Sequence, residues 1–94
     1  NIPRVIPKAC RAVINRGSWD IPPIFRLLQR LGNIDEDEMY RVFNMGIGMA
    51  LVVPEKETEE ILERLVHLDE KAFLIGCVEK RDNDEPTVVF SENG

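Results

Sequence analysis

Apolar residues recur at Ile24, Leu27, Leu28 and Leu31, the i, i+3, i+4, i+7 spacing of one helical face. Pro22 and Pro23 precede that run, and proline fits the start of a helix, where the first N–H groups have no intrahelical partner. Gly32 stands where a left-handed residue would end the helix. A second start falls at Asp35, placed to cap the backbone of Glu38 while Glu38 reaches back, with Ile34 and Met39 at hydrophobic-staple spacing. Met39, Val42 and Phe43 give this short helix its inner face, and Asn44-Met45-Gly46 closes it. A third amphipathic helix is predicted over 55–68, with Ile61, Leu62, Leu65 and Leu68 inward, acids in its first turns, and Glu60 and Arg64 as an i, i+4 pair.

The remaining apolar segments have the short length of strands. Pro3 and Pro7 fence Arg4-Val5-Ile6 into an extended run for an edge or loop. Arg11 to Asn15 predicts a second strand, closed by the turn-rich Asn15-Arg16-Gly17-Ser18, with Trp19 beside it as an apolar anchor. Ile47 to Val53 reads as a buried strand stopped by Pro54, its larger side chains alternating with Gly48, Ala50 and Val52. Ala72 to Glu79 is apolar on both faces, as a central strand is. After the polar turn from Arg81 to Pro86, Thr87 to Ser91 alternates, with Val88 and Phe90 inward.

The expected order is β-β-α-α-β-α-β-β. The unit from Ile47 to Glu79 predicts a parallel pair with a right-handed crossover, and the last two strands an antiparallel hairpin. The fold class is therefore α/β in the broad, α+β sense: a mixed sheet with helices packed on it. At 94 residues the chain fits one domain with a thin core. It begins at Asn1 without an initiator Met or a leader-like segment, as a piece of a longer protein would.

Charge and composition narrow the function. With 17 acidic and 12 basic residues the net charge is −5, and no basic field favours nucleic acid or an anionic membrane. The apolar runs fall short of the roughly 18–20 residues of a membrane helix. Two cysteines, Cys10 and Cys77, form no Cys-x-x-Cys pair, which fits a reduced, cytoplasmic setting. Phosphate-loop, nucleophile-elbow and His-Glu-x-x-His motifs are absent. His67 falls off the apolar stripe and is expected in solvent, and Cys77 is expected as a small buried hydrophobe. The run Asp35-Glu36-Asp37-Glu38 is accounted for by capping and is not expected to hold a metal.

Two segments ask for more. Asn1-Ile2-Pro3-Arg4-Val5 is a proline-stiffened arm carrying an amide and a guanidinium, a planar fork that suits phosphate or carboxylate. The residues leave two readings open: an anion-gripping arm, or ordinary solvated surface. Phe43-Asn44-Met45-Gly46-Ile47-Gly48-Met49 carries two glycines just ahead of the predicted strand. Either its bare backbone meets a ligand, or Gly46 only ends the helix.

Taken together these segments resemble a known family. Asn-Ile-Pro-Arg-Val-Ile-Pro at 1–7, Gly-Ser-Trp at 17–19, Pro-Pro-Ile-Phe at 22–25, Glu-Met-Tyr-Arg-Val-Phe-Asn-Met-Gly-Ile-Gly-Met at 38–49 and Phe-Leu-Ile-Gly at 73–76 are similar to aminoimidazole ribonucleotide synthetase, also called phosphoribosylformylglycinamidine cyclo-ligase. The resemblance covers nearly the whole chain and places it in the tail of that family's C-terminal domain; 9–14 and 82–94 match loosely. It implies an enzyme of purine biosynthesis that uses ATP and Mg²⁺ to phosphorylate the formyl oxygen of formylglycinamidine ribonucleotide, after which an amidine nitrogen closes the ring. It implies too that ATP binds mainly in an N-terminal domain absent here, that the full-length enzyme is a homodimer, and that this piece alone is inactive. Asn1 and Arg4 match one substrate-side motif, and Asn44, Gly46 and Gly48 match the second. Met45 stands where members often carry Cys, which argues against a required thiol there. Two other classes stay open: a stand-alone ligand-sensing or interaction module, and another member of the same ATP-using superfamily.

Overall fold

A computed structural model describes residues 2–92. Residues 20–50 form one compact unit; 1–19 and 51–94 form the other.

The second of these is built on a mixed three-stranded sheet in the order β2-β1-β3. β1 (Cys10–Asn15) lies in the middle, with Ala12 and Ile14 buried on one face as period-two alternation requires. β2 (Gly76–Lys80) runs antiparallel to it, Val13 opposite Cys77 and Cys10 opposite Lys80. β3 (Val88–Ser91) runs parallel on the other side, Ala12 beside Val88 and Asn15 beside Ser91. Backbone bonds extend both ladders: Arg81 N–H to Ala9 O at 2.8 Å, Asn15 N–H to Ile75 O at 2.7 Å, and Arg16 N–H to Ser91 O at 2.8 Å. The turn leaving β1 is tight. Gly17 takes a positive φ of 86°, and the Ser18 hydroxyl donates to Asn15 O at 2.6 Å. Trp19 beyond it is buried, as expected of an anchor. α3 (Thr58–His67) follows a 3-10 turn at Glu55–Glu57, and its apolar residues Ile61, Leu62 and Leu65 are half-buried. The Glu60–Arg64 pair forms at 3.1 Å.

The unit 20–50 holds α1 (Pro23–Gly32) and α2 (Glu36–Val42). Pro22 stands at the N-cap of α1 and Pro23 inside its first turn. The two helices are tied by Arg26 Nη1 to Glu36 Oε2 at 3.0 Å and by an edge-to-face contact of Phe25 with Phe43, centroids 6.0 Å apart. Met39 and Met45 are fully enclosed.

The α+β class and the mixed sheet agree with the sequence reading, and several details differ. Residues 4–6 are not extended: Ile2–Arg4 is a 3-10 turn closed by Val5 N–H to Ile2 O at 3.1 Å, for which proline's φ is already suited. The predicted strand 47–53 has no strand geometry, and Met49 is 82% exposed. A strand exists only with a ladder partner, and no described residue supplies one. The apolar run 72–79 forms a strand only from Gly76, and that strand is an edge, not the centre. β2 and β3 make no hairpin because β1 lies between them, and the parallel pair is β1 with β3 instead of a crossover from 47 to 79.

Smaller differences follow from competing contacts. Asn33, not Gly32, takes the left-handed position at φ 50°, and Ile34 N–H closes back on Gln29 O at 3.0 Å. Asp35 has N-cap geometry without a side-chain cap bond. Glu38 turns instead to Arg41, whose Nε donates to it at 2.9 Å; that bond holds the Glu38 carboxyl below its usual range. The stripe of α1 is not the buried face expected: Ile24, Leu27, Leu28 and Leu31 are all exposed, Leu31 at 74%, and Val42 and Leu68 are exposed too. Phe90 is 39% exposed and lies under the Arg16 guanidinium, 4.7 Å from the ring centroid. Cys77 is exposed, because its strand is an edge; His67 is exposed, as read.

Candidate functional site

The segment after α2 is fastened residue by residue. Phe43 leaves the helix in an extended conformation, φ −111° and ψ 153°, with its ring on Phe25. The Asn44 side-chain oxygen accepts the Gly46 N–H at 2.9 Å, and its carbonyl accepts the Ile47 N–H at 3.0 Å. Met45 sits in the left-handed region at φ 54° with its side chain buried. A non-glycine residue there is uncommon, and burial of a large side chain offsets part of the cost. Gly46 follows at φ 98°, and a Cβ on it would run into Pro22 Cδ and lie 3.0 Å from Cγ. Glycine is thus required at 46 by conformation and by space together. Gly48 has neither demand: no atom lies within 4 Å of where its Cβ would be.

Of the five candidates, Asn44, Gly46 and Gly48 share this one segment. Arg4 is exposed at the end of the 3-10 turn in the other unit, and Asn1 lies outside the described residues. Two participants escaped the sequence reading. Pro22 was legible only as a helix opener, and no spacing rule brings it beside a residue 24 positions on. Met45 was legible as a replacement for a thiol but not as the buried pin of the turn.

Charged groups elsewhere are engaged in holding the sheet's flank. Arg11 pairs with both Glu79 and Glu85, its Nε donating to Glu79 at 2.7 Å. Arg81 donates to Lys8 O at 2.8 Å and to Glu85 O at 2.9 Å. The Asp82 N–H donates to Glu85 Oε1 at 3.0 Å. That backbone bond, helped by Arg11, keeps the Glu85 carboxyl below its usual range. A depressed carboxyl favours the folded state above its unfolded-state pKa and loses that contribution as pH falls through the folded-state value. Thermal unfolding is therefore expected to shift down on acidification, and the Glu85→Gln variant to show a smaller shift. An identical acid profile for both would remove Glu85 from the effect.

A shallow open hollow of about 450 Å³ on α1 is lined by Pro23, Ile24, Arg26, Leu27 and Arg30, with no convergent set of polar groups. Among the described residues there is no group of three or more His, Cys, Asp or Glu that could hold a metal ion. No described helix is long and apolar enough to cross a membrane.

Comparison with known proteins gives this arrangement its kinship. The model of the AIR synthase related protein, C-terminal domain, matches residues 1–89, and the chain belongs to that family. The resemblance carried by the motifs at 1–7, 17–25 and 38–49 is borne out. Curated relatives bear a more particular name. The phosphoribosylformylglycinamidine cyclo-ligase of Syntrophus aciditrophicus (strain SB) is 57% identical over 91 residues, covering 97% of this chain and 26% of that protein. The protein of the same name from Citrifermentans bemidjiense is 63% identical over 82 residues, covering 87% of this chain and 24% of its own length. The chain thus spans about a quarter of the length of the curated relatives it matches.

Proposed function

We propose that this chain is the substrate-side part of an ATP-dependent cyclo-ligase that converts formylglycinamidine ribonucleotide to aminoimidazole ribonucleotide in purine biosynthesis. The observation that carries the reading is the 57% identity to a cyclo-ligase across 97% of the chain. In this reading residues 1–94 belong to the C-terminal domain. ATP and Mg²⁺ are held mainly by an N-terminal domain, the whole enzyme is a cytoplasmic homodimer, and neither nucleic acid nor membrane is a partner.

The chemistry asks for binding and shaping from these residues. The γ-phosphoryl group of ATP passes to the formyl oxygen, giving ADP and turning a poor leaving group into a good one. An amidine nitrogen then attacks the formyl carbon, the C–O bond breaks, phosphate departs and a proton is released. The exposed Arg4 guanidinium, with Asn1, binds the anionic ribonucleotide, for which its planar fork is suited. Asn44, Gly46 and Gly48 form a cleft wall: Asn44 closes the turn, Gly46 holds it, and Gly48 offers uncovered backbone. None of these five is a general acid or base.

The test is ring closure by the intact protein that carries this chain, followed as ADP and aminoimidazole ribonucleotide formed in equal amounts. Failure to form the imidazole from this substrate would sink the reading. Arg4→Ala is expected to weaken ribonucleotide binding by ~1.5–3 kcal/mol, the worth of one charge-assisted hydrogen bond. That is roughly tenfold to over a hundredfold in affinity. Unchanged KM and turnover in this variant would remove Arg4 from the site.

A further inference from the structure

We propose that Pro22 is a positioning residue for the ribonucleotide, an inference that rests on the function proposed above: its ring is the stop against which the Asn44–Gly48 segment is held in its binding shape. Three observations within the unit 20–50 converge on it. Pro22 is fixed to the first turn of α1, its φ −56° set by the ring and its carbonyl accepting the Phe25 N–H at 3.1 Å. The Gly46 backbone lies so close that a single carbon added there would overlap Pro22 Cδ. That ring atom is bonded to backbone nitrogen and has no rotamer by which to move aside. The turn has no other easy way to relax. Rotating it would extract the buried Met45 side chain, part the Asn44 oxygen from the Gly46 N–H, and lift Phe43 from Phe25.

One consequence concerns Asn44. Its side-chain oxygen accepts the Gly46 N–H and closes the turn, so Asn44 shapes the backbone that follows it. The unobstructed position is Gly48, with open space where a side chain would stand. A rigid turn held by Pro22 thus delivers a bare stretch of backbone, which is the property a close-fitting nucleotide wall needs.

The experiment compares Pro22→Ala, Gly46→Ala and the double variant in the intact protein. Pro23 still opens α1 when Pro22 is replaced, so the helix is retained. Pro22→Ala is expected to raise the KM for the ribonucleotide by about tenfold, since small misplacements of a binding wall are costly, and to leave the KM for ATP unchanged. In the substrate-free protein, amide exchange at Gly46 and Ile47 is expected to quicken by about two- to fivefold, the loss of one proline constraint. Gly46→Ala is expected to be the more damaging single change, and less so when Pro22 is also alanine, because the two share one contact. Unchanged exchange and unchanged ribonucleotide KM in Pro22→Ala would overturn the inference. So would a Gly46→Ala defect of equal size with and without the proline. A wild-type protein that does not close the ring sinks the functional reading itself, and the exchange measurement still decides whether Pro22 holds the turn.

Discussion

Replacing Gly76 by alanine is expected to destabilise the protein by at least ~3 kcal/mol, the top of the usual range for overpacking. Gly76 opens β2 opposite Ile14, and a Cβ there would overlap the Val13 carbonyl oxygen and come 3.1 Å from Ile14 Cα. The obstacle is backbone on the central strand, so no side-chain rearrangement relieves it. Relief requires β2 to slide away from β1, which breaks the ladder and the neighbouring Asn15 N–H to Ile75 O bond. Thermal unfolding is the direct measurement, and a fall of at least about 12–24 °C is expected for a domain of this size. A Gly76→Ala protein that melts with the wild type would mean the strands do not approach so closely. Substitution at Gly48 is the internal control for stability, because its surroundings are open.

Met39→Ala is expected to cost ~2–5 kcal/mol, the range for truncating a large core side chain to alanine. Met39 is 0% exposed and is the only buried residue of α2, a helix of seven residues that is far too short to persist by itself. Much of the apolar burial in the unit 20–50 rests on Met39 and Met45. Losing one therefore removes a large share of what orders α2 and the turn after it. Urea unfolding should show a lower midpoint, and Met39→Leu, which nearly conserves volume, should lose less than about 1.5 kcal/mol. Equal stability of Met39→Ala and wild type would exclude this packing role.

The same residues show how far the chain could be read in advance. α1 and β1 were legible because their signals are local: the proline pair and apolar spacing for the helix, the short apolar run and the Gly17 turn for the strand. The sheet's order was not. Nothing in a window of residues tells Cys10–Asn15 that it will be central, with partners that arrive from 76–80 and 88–91. An apolar run such as 72–79 reads as doubly buried whether or not neighbours come to both sides. The capping box failed for a different reason, since Arg41, three residues on along the same helix, engages the Glu38 carboxylate that the box would have used. At the candidate site, the glycines at 46 and 48 were legible as unusual. Their difference was not: Gly46 is demanded by its own φ and by Pro22, while Gly48 is free locally.

The central place of β1 also sets the order in which the molecule can be made. Arg11 reaches Glu79 across 68 positions, and the parallel neighbour of β1 arrives later still. Contacts separated so widely close slowly, because the chain between them must be gathered first. During synthesis, at about 5–20 residues per second, β1 precedes its neighbours β2 and β3 by several seconds. The segment 20–50, whose ties described above span no more than 24 positions, can meanwhile assemble within itself. Synthesis halted before β3 would therefore leave β1 without its parallel neighbour, and the arrival of 88–91 would be the event that supplies it.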